Sequence, residues 1–102
     1  METISAKELE RYAREGQYLI IDLRSNANYR RRHVRGAINV PQGNFRTELS
    51  GRKGETVILY CERGALSMAV ARNLERYGFH TKSVVGGFRA YCEQIAAQNE
   101  KS

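Results

Sequence analysis

Cys61 stands between an apolar run and a helical stretch, in Val57-Ile58-Leu59-Tyr60-Cys61-Glu62-Arg63-Gly64-Ala65-Leu66-Ser67. Val57 to Tyr60 reads as a buried strand. Ala65 or Leu66 onward, through Ala69, Val70, Ala71, Leu74 and Tyr77, reads as a helix. A thiol in the turn between them meets several backbone N–H groups and the positive end of the helix dipole. That setting favours an anion, so it lowers the thiol pKa and makes the thiolate a nucleophile. The competing reading of Cys61 is a small buried apolar residue, a common place for a free cysteine. Asp22 is the sole aspartate of the chain and closes another apolar run, followed at once by Leu23 and Arg24. It is expected to accept hydrogen bonds from Arg24 or nearby backbone and to brace the base of the site, a structural duty. Arg24 then serves in a buried ion pair that fixes loop geometry.

These side chains need a scaffold. Ser5-Ala6-Lys7-Glu8 has the form of a capping box, and the spacing predicts a helix with Leu9, Tyr12 and Ala13 on one face, ending near Gly16. Tyr18 to Ile21 is a continuous apolar run, the signature of a parallel strand covered on both faces. A short helix through Tyr29 and the arginine block is expected next. Gly36 to Val40 reads as a second strand stopped by Pro41, and Gln42 to Leu49 as a short helix. Thr56 to Tyr60 is a third strand and Thr81 to Val85 a fourth. Gly86-Gly87 forms a junction, Phe88 to Ala97 a last helix with Tyr91 and Ile95 inward, and Gln98 to Ser102 a polar, frayed tail. Alternating strands and helices predict an α/β fold with a central parallel sheet of four to five strands and helices on both faces. Working sites in such sheets lie beyond the carboxyl ends of the strands. Asp22, Arg24, Cys61 and Gly86-Gly87 all follow strands, so they should converge on one edge.

At 102 residues the chain fits a single domain over 1–102, ordered to about residue 97. Its two cysteines make no disulfide framework, and with two distant histidines they make no zinc pattern. Cys61 and Cys92 read as free thiols in a reducing compartment. No apolar run is long enough to cross a bilayer, and none follows a basic start as a signal peptide would, so the expected setting is cytoplasmic with no membrane partner. The formal net charge of +6 favours anionic small molecules or acidic protein surfaces. Much of that charge lies in Arg30-Arg31-Arg32-His33-Val34-Arg35, read as a solvated helix end. No nucleic-acid motif accompanies it, so nucleic acid is not the expected partner.

Four segments in order resemble the rhodanese-like domain family, of the single-domain sulfurtransferase type. Leu19-Ile20-Ile21-Asp22-Leu23-Arg24 looks like the family's Asp-x-Arg strand end. His33-Val34-Arg35-Gly36-Ala37-Ile38-Asn39-Val40-Pro41 is similar to its His-Ile-x-Gly-Ala-x-Asn-x-Pro stretch. Cys61-Glu62-Arg63-Gly64-Ala65-Leu66-Ser67 resembles its Cys-x-x-Gly-x-x-Ser loop. Val85-Gly86-Gly87-Phe88 with Tyr91 resembles its Gly-Gly segment, where tryptophan often follows. The resemblance implies a reaction without a cofactor or metal. Cys61 takes a sulfane sulfur from a small-molecule donor (thiosulfate, persulfide or polysulfide) and passes it, as a persulfide, to a protein or low-molecular-weight thiol or another thiophile. The Cys61 to Leu66 loop should curl its N–H groups around the sulfur, with Gly64 at a position needing φ > 0 or close approach. His33 is expected to lock a turn and not to act as a base, because an ionised thiol needs none. Glu62 repels an incoming anion and Arg63 attracts it, so the two nearly cancel. Leu66 departs from the arginine or hydroxyl residue of many family loops and gives a sulfonate no hydrogen bond. Weak thiosulfate turnover and a preference for persulfide or polysulfide donors follow.

Other readings stay open from the residues alone. A phosphatase of this fold needs an arginine clamp where Ser67 stands. A non-catalytic interaction module of this family usually lacks the cysteine. A thiol redox switch between Cys61 and Cys92 requires the two to come within disulfide reach.

Overall fold

The computed structural model of the chain describes residues 1–41 and 45–101. Along the chain run β1 (Glu2–Ile4), α1 (Ala6–Glu15), β2 (Leu19–Asp22), α2 (Asn26–Arg31), β3 (Ile38–Asn39), α3 (Phe45–Glu48), β4 (Thr56–Tyr60), α4 (Ala65–Glu75), β5 (His80–Val84) and α5 (Gly87–Lys101). The strands form one five-stranded sheet in the order β1-β5-β4-β2-β3. Every neighbouring pair is parallel. The α/β fold with a parallel sheet and helices on both faces is the one expected.

Side-chain parity along the strands explains the two-sided burial. Ile20, Ile58, Tyr60 and Val84 pack with Leu9 and Ala13 of α1, Val34, and Phe88 of α5. Ile21, Val57, Leu59 and Cys61 pack on the other face with Leu49 and with Ala71 and Leu74 of α4. Strands covered on both sides read as unbroken apolar runs, because both parities must be apolar. Successive residues point to opposite faces, so Tyr60 belongs to the α1/α5 side and Cys61 to the α4 side. The capping box at α1 forms as expected: Glu8 N donates to Ser5 Oγ at 3.1 Å and Ser5 N donates to Glu8 Oε1 at 3.0 Å. Gly16 ends that helix in the left-handed region.

Several details differ from expectation, among them β2, which is shifted by one residue to Leu19–Asp22, and β3, which shortens to Ile38–Asn39. β1 was not foreseen: three residues carry no readable period, and the strand is held at the sheet edge by pairing Glu2, Thr3 and Ile4 with Lys82, Ser83 and Val84. The fourth expected strand is shifted by one residue. It includes His80 and stops before Val85, which lies in a turn and is 58% exposed. α4 ends at Glu75, and Tyr77 stands 61% exposed beyond it, because the chain turns into Gly78 at φ +92°. α2 takes in only the start of the arginine block, ending at Arg31 with Arg32 as its cap. The tail expected to fray from Gln98 instead continues α5 to Lys101. There Gln98 Nε2 donates to Glu10 Oε2 of α1, and this tie rewards another turn of helix. Within the expected Gln42 to Leu49 helix, residues 45 to 48 are helical and residues 42 to 44 lie outside the described residues. No helix among the described residues is long and apolar enough to cross a membrane.

Candidate active site

The carboxyl ends of β2, β4 and β5 meet beside a cleft of about 970 Å3. Its wall includes Leu23, Arg24, Cys61, Glu62, Arg63, Ala65, Leu66 and Phe88, together with Arg31 and Arg32 from the end of α2 and Arg89 and Cys92 from α5. Of the residues singled out from sequence, Arg24, Cys61, Glu62, Arg63, Ala65 and Leu66 line the cleft. Gly64 and Ser67 shape the loop beneath it, Asp22 lies behind it, and Gly86-Gly87 support it from the junction of β5 and α5. His33 does not line it; its Nδ1 bonds the Tyr29 carbonyl at 2.8 Å and its ring stacks on Tyr29 at 3.9 Å, at an exposed turn.

The loop curls around the Cys61 sulfur. Gly64 N donates to Sγ at 3.0 Å and Ser67 N donates at 3.4 Å. Burial opposes ionisation of the thiol. The backbone and hydroxyl of Ser67 and the amides of Gly64 and Arg63 outweigh it, and the Cys61 pKa falls below that of an ordinary thiol. Ser67 is itself fixed: its hydroxyl donates to the Gly64 carbonyl at 3.0 Å and lies 2.8 Å from the Ser83 hydroxyl. Removing that hydroxyl has a readable effect. In Ser67→Ala the Gly64 carbonyl loses its brace and the amides around the sulfur loosen, so the Cys61 pKa rises and the acid limb of its alkylation by iodoacetamide moves to higher pH. Stability falls by about 1 kcal/mol as Ser83 loses its partner.

Two glycines let β5 carry this loop. Gly87 has φ +60°, and a Cβ there would lie 2.4 Å from the Cys61 carbonyl oxygen and 2.7 Å from the Glu62 carbonyl carbon. This close approach lets Phe88 N donate to the Cys61 carbonyl at 2.8 Å and Arg89 N to the Glu62 carbonyl at 3.2 Å. The Cys61 peptide is thereby tied to the start of α5 while its thiol is held by the start of α4. Gly64, at φ +108°, sits against the Gly86 amide, where a Cβ would meet N at 3.2 Å. The Gly87→Ala variant should lose at least about 2 kcal/mol, from left-handed strain and from pushing the loop off its two bonds. Its lowered urea midpoint should come with slower Cys61 alkylation near neutral pH.

Behind the loop is a buried polar cluster. Asp22 accepts from Arg24 N at 2.8 Å, from Arg24 Nη2 at 2.8 Å and from the Tyr60 hydroxyl at 2.6 Å. Burial works against the Arg24 charge, but the bonds and charge of Asp22 prevail and its pKa is raised. The Tyr60 phenol is pushed well up, by burial first and then by Asp22. Arg24 Nη2 also donates to the Arg32 carbonyl at 2.5 Å, and its guanidinium lies 3.8 Å from the centre of the Phe88 ring. Asn39 Nδ2 donates to the Asp22 and Arg24 carbonyls at 3.1 Å and 2.9 Å, which pins the strand end. Glu62 lies 3.7 Å from Arg24 Nη1, but Arg24 is already matched by Asp22, so the exposed Glu62 carboxylate still places negative charge at the cleft. Tyr60, Ser83 and the Arg32 carbonyl escaped the sequence reading. Only Tyr60 left a signal, a hydroxyl at the end of an otherwise apolar strand.

The arrangement favours the thiolate form of Cys61 on the floor of an open, arginine-bearing cleft. Ser67 occupies the place a phosphoryl-clamping arginine would need, and it is buried. Cys92 is a half-buried free thiol on the same cleft.

Known proteins resemble this chain in sequence and in fold. The model of the Rhodanese-like domain family matches residues 5–94. Over 76 residues the chain is 36% identical to a tRNA sulfurtransferase of Desulfurococcus amylolyticus, covering 74% of this chain but only 15% of that protein. It is 29% identical to the thiosulfate sulfurtransferase GlpE of Coxiella burnetii over 91 residues, covering 86% of this chain and 84% of that one. Among solved structures, a rhodanese-like domain protein of Staphylococcus aureus superposes with a TM-score of 0.77 at 27% identity, covering 89% of this chain and 91% of the other.

Proposed function

The chain belongs to the rhodanese-like domain family, and from that membership we propose that it is a sulfurtransferase acting through Cys61 as one domain over 1–102. The observation that carries the reading is the Cys61 sulfur held by the Gly64 and Ser67 amides at the floor of an open cleft. The names of the sulfurtransferases it resembles support it.

In the first half-reaction the Cys61 thiolate attacks the outer sulfur of a donor R–S–SH. A bond forms from Sγ to that sulfur, the donor S–S bond breaks, and its electron pair leaves on RS⁻. In the second, an acceptor thiolate attacks the outer sulfur of Cys61–S–SH, and the electron pair of the broken S–S bond returns to Sγ. The same amides face the sulfur in its thiolate and persulfide states, so they stabilise the charge without rearranging. Leu66, 45% exposed on the cleft wall, offers a sulfonate no hydrogen bond. Persulfide and polysulfide are therefore the favoured donors over thiosulfate. A resident thiolate also suits a reducing compartment, the cytoplasm.

Mass spectrometry tests both halves of the reading. After separate exposure to thiosulfate, cysteine persulfide and inorganic polysulfide, the Cys61 peptide should gain the mass of one sulfur atom, lost again on adding a thiol. The gain should be larger from persulfide and polysulfide than from thiosulfate. No gain from any donor would remove the proposal; efficient loading from thiosulfate would remove the Leu66 argument alone.

A further inference from the structure

The charges of the cleft are unevenly matched. Glu93 is paired with Arg89 at 3.8 Å, and Arg24 is matched by Asp22 at 2.8 Å, so Glu62, 3.7 Å from Arg24, offsets one further cation of the cleft. Arg31, Arg32 and Arg63 line the same cleft and, among the described residues, face no carboxylate within ion-pair distance. Two of them are not on a loose loop. The Arg32 carbonyl accepts from the buried Arg24 guanidinium, and Arg24 is bonded in turn to Asp22. The cationic end of α2 is thus anchored through the cleft floor to the strand that bears the site. Leu23, Ala65, Leu66 and Phe88 add apolar wall to the same cleft, beside the polar Ser25, Asn28 and Glu62. At about 970 Å3 the cleft is far larger than a small inorganic oxyanion requires and is of the size that takes organic ligands.

We propose that the cleft selects, as its sulfur acceptor, a small organic thiol bearing two or more carboxylates, its sulfur at Cys61 and its carboxylates on Arg31, Arg32 and Arg63. The proposal rests on the sulfurtransferase reading and narrows it. Transfer is balanced: R–S⁻ plus Cys61–S–SH gives R–S–SH plus the Cys61 thiolate, with the persulfide proton staying on the transferred sulfur. Cation-lined clefts with low-dielectric walls concentrate anions and speed their capture.

Cys61 is first loaded from inorganic polysulfide. Acceptance is then compared for mercaptosuccinate, neutral thioglycerol and cationic cysteamine, each rate divided by that thiol's uncatalysed reaction with polysulfide. At low salt the normalised kcat/KM for mercaptosuccinate should exceed that for thioglycerol by about tenfold, with cysteamine lowest. The ratio should shrink toward one in about 0.5 M salt and in the Arg31→Glu/Arg32→Glu variant. Equal normalised rates for the three thiols would overturn the proposal while leaving sulfur transfer intact. If Cys61 takes no sulfur, calorimetry on the Cys61→Ser protein still decides: mercaptosuccinate binding abolished by Arg31→Glu/Arg32→Glu supports the anion site, and no binding refutes it.

Discussion

The Cys61→Ser protein is expected to keep its fold and to lose sulfur transfer by at least about 10⁴-fold, the scale seen when a covalent nucleophile is removed. A serine hydroxyl can occupy the same turn and meet the same Gly64 and Ser67 amides. It is not ionised near neutral pH and forms no persulfide. Unchanged circular dichroism with abolished transfer is the outcome that assigns the chemistry to Cys61. The substitution has a second signature. Because the Cys61 pKa is depressed in the folded chain, its ionisation stabilises the fold fully only above the pKa of the unfolded thiol. That contribution is lost as pH falls through the lower, folded pKa. The unmodified chain should therefore gain stability over Cys61→Ser as pH rises between those two values, measured by urea unfolding at a series of pH values. A pH-independent difference would mean the thiol is not held as an anion.

The largest loss of stability is expected from Asp22→Ala, about 3–5 kcal/mol by urea unfolding. Asp22 is fully buried and Arg24 almost so. Deleting the carboxylate takes the main acceptor from the largely buried guanidinium, leaving it the Arg32 carbonyl and a distant Glu62, and takes the acceptor from the Tyr60 hydroxyl. The cost is that of an orphaned charge more than of a lost attraction, so removing both partners should be milder than removing one. Asp22→Ala/Arg24→Met should recover a large part of the deficit, since the methionine chain can lie against the Phe88 ring that now covers Arg24. A double variant as unstable as Asp22→Ala would show that the cluster matters by its shape and not its charge balance.

The sheet was largely visible in the pattern of residues, and for a physical reason. β2 and β4 lie inside it, so both parities of Leu19–Asp22 and Thr56–Tyr60 had to be apolar up to their ends, and such runs stand out. The Ser5–Glu8 box announced α1 because two orphan amides select those side chains. The loop residues from Cys61 to Ser67 were recognisable since an amide nest imposes fixed spacing on a cysteine, a glycine and a helix start. What stayed hidden depends on backbone atoms or distant neighbours. The Arg32 carbonyl that receives Arg24 is common to every residue type. Tyr60 looks like one more apolar strand residue until its hydroxyl is seen bridging Asp22 and the Val34 amide. β1 is too short to show a period and exists through its partner.

That partnership has a consequence for how the molecule is made. β1 pairs with β5 across 80 residues of sequence, with Glu2 also joined to Lys82. On a ribosome β1 must wait for β5, 80 residues later, to emerge before it can dock. Until then the flank of β5 that it covers is an open template for strands of other nascent copies. Long-range parallel pairing is also slow to form. Synthesis of this segment therefore passes through a window of aggregation risk, which closes when Glu2–Ile4 zip onto the sheet.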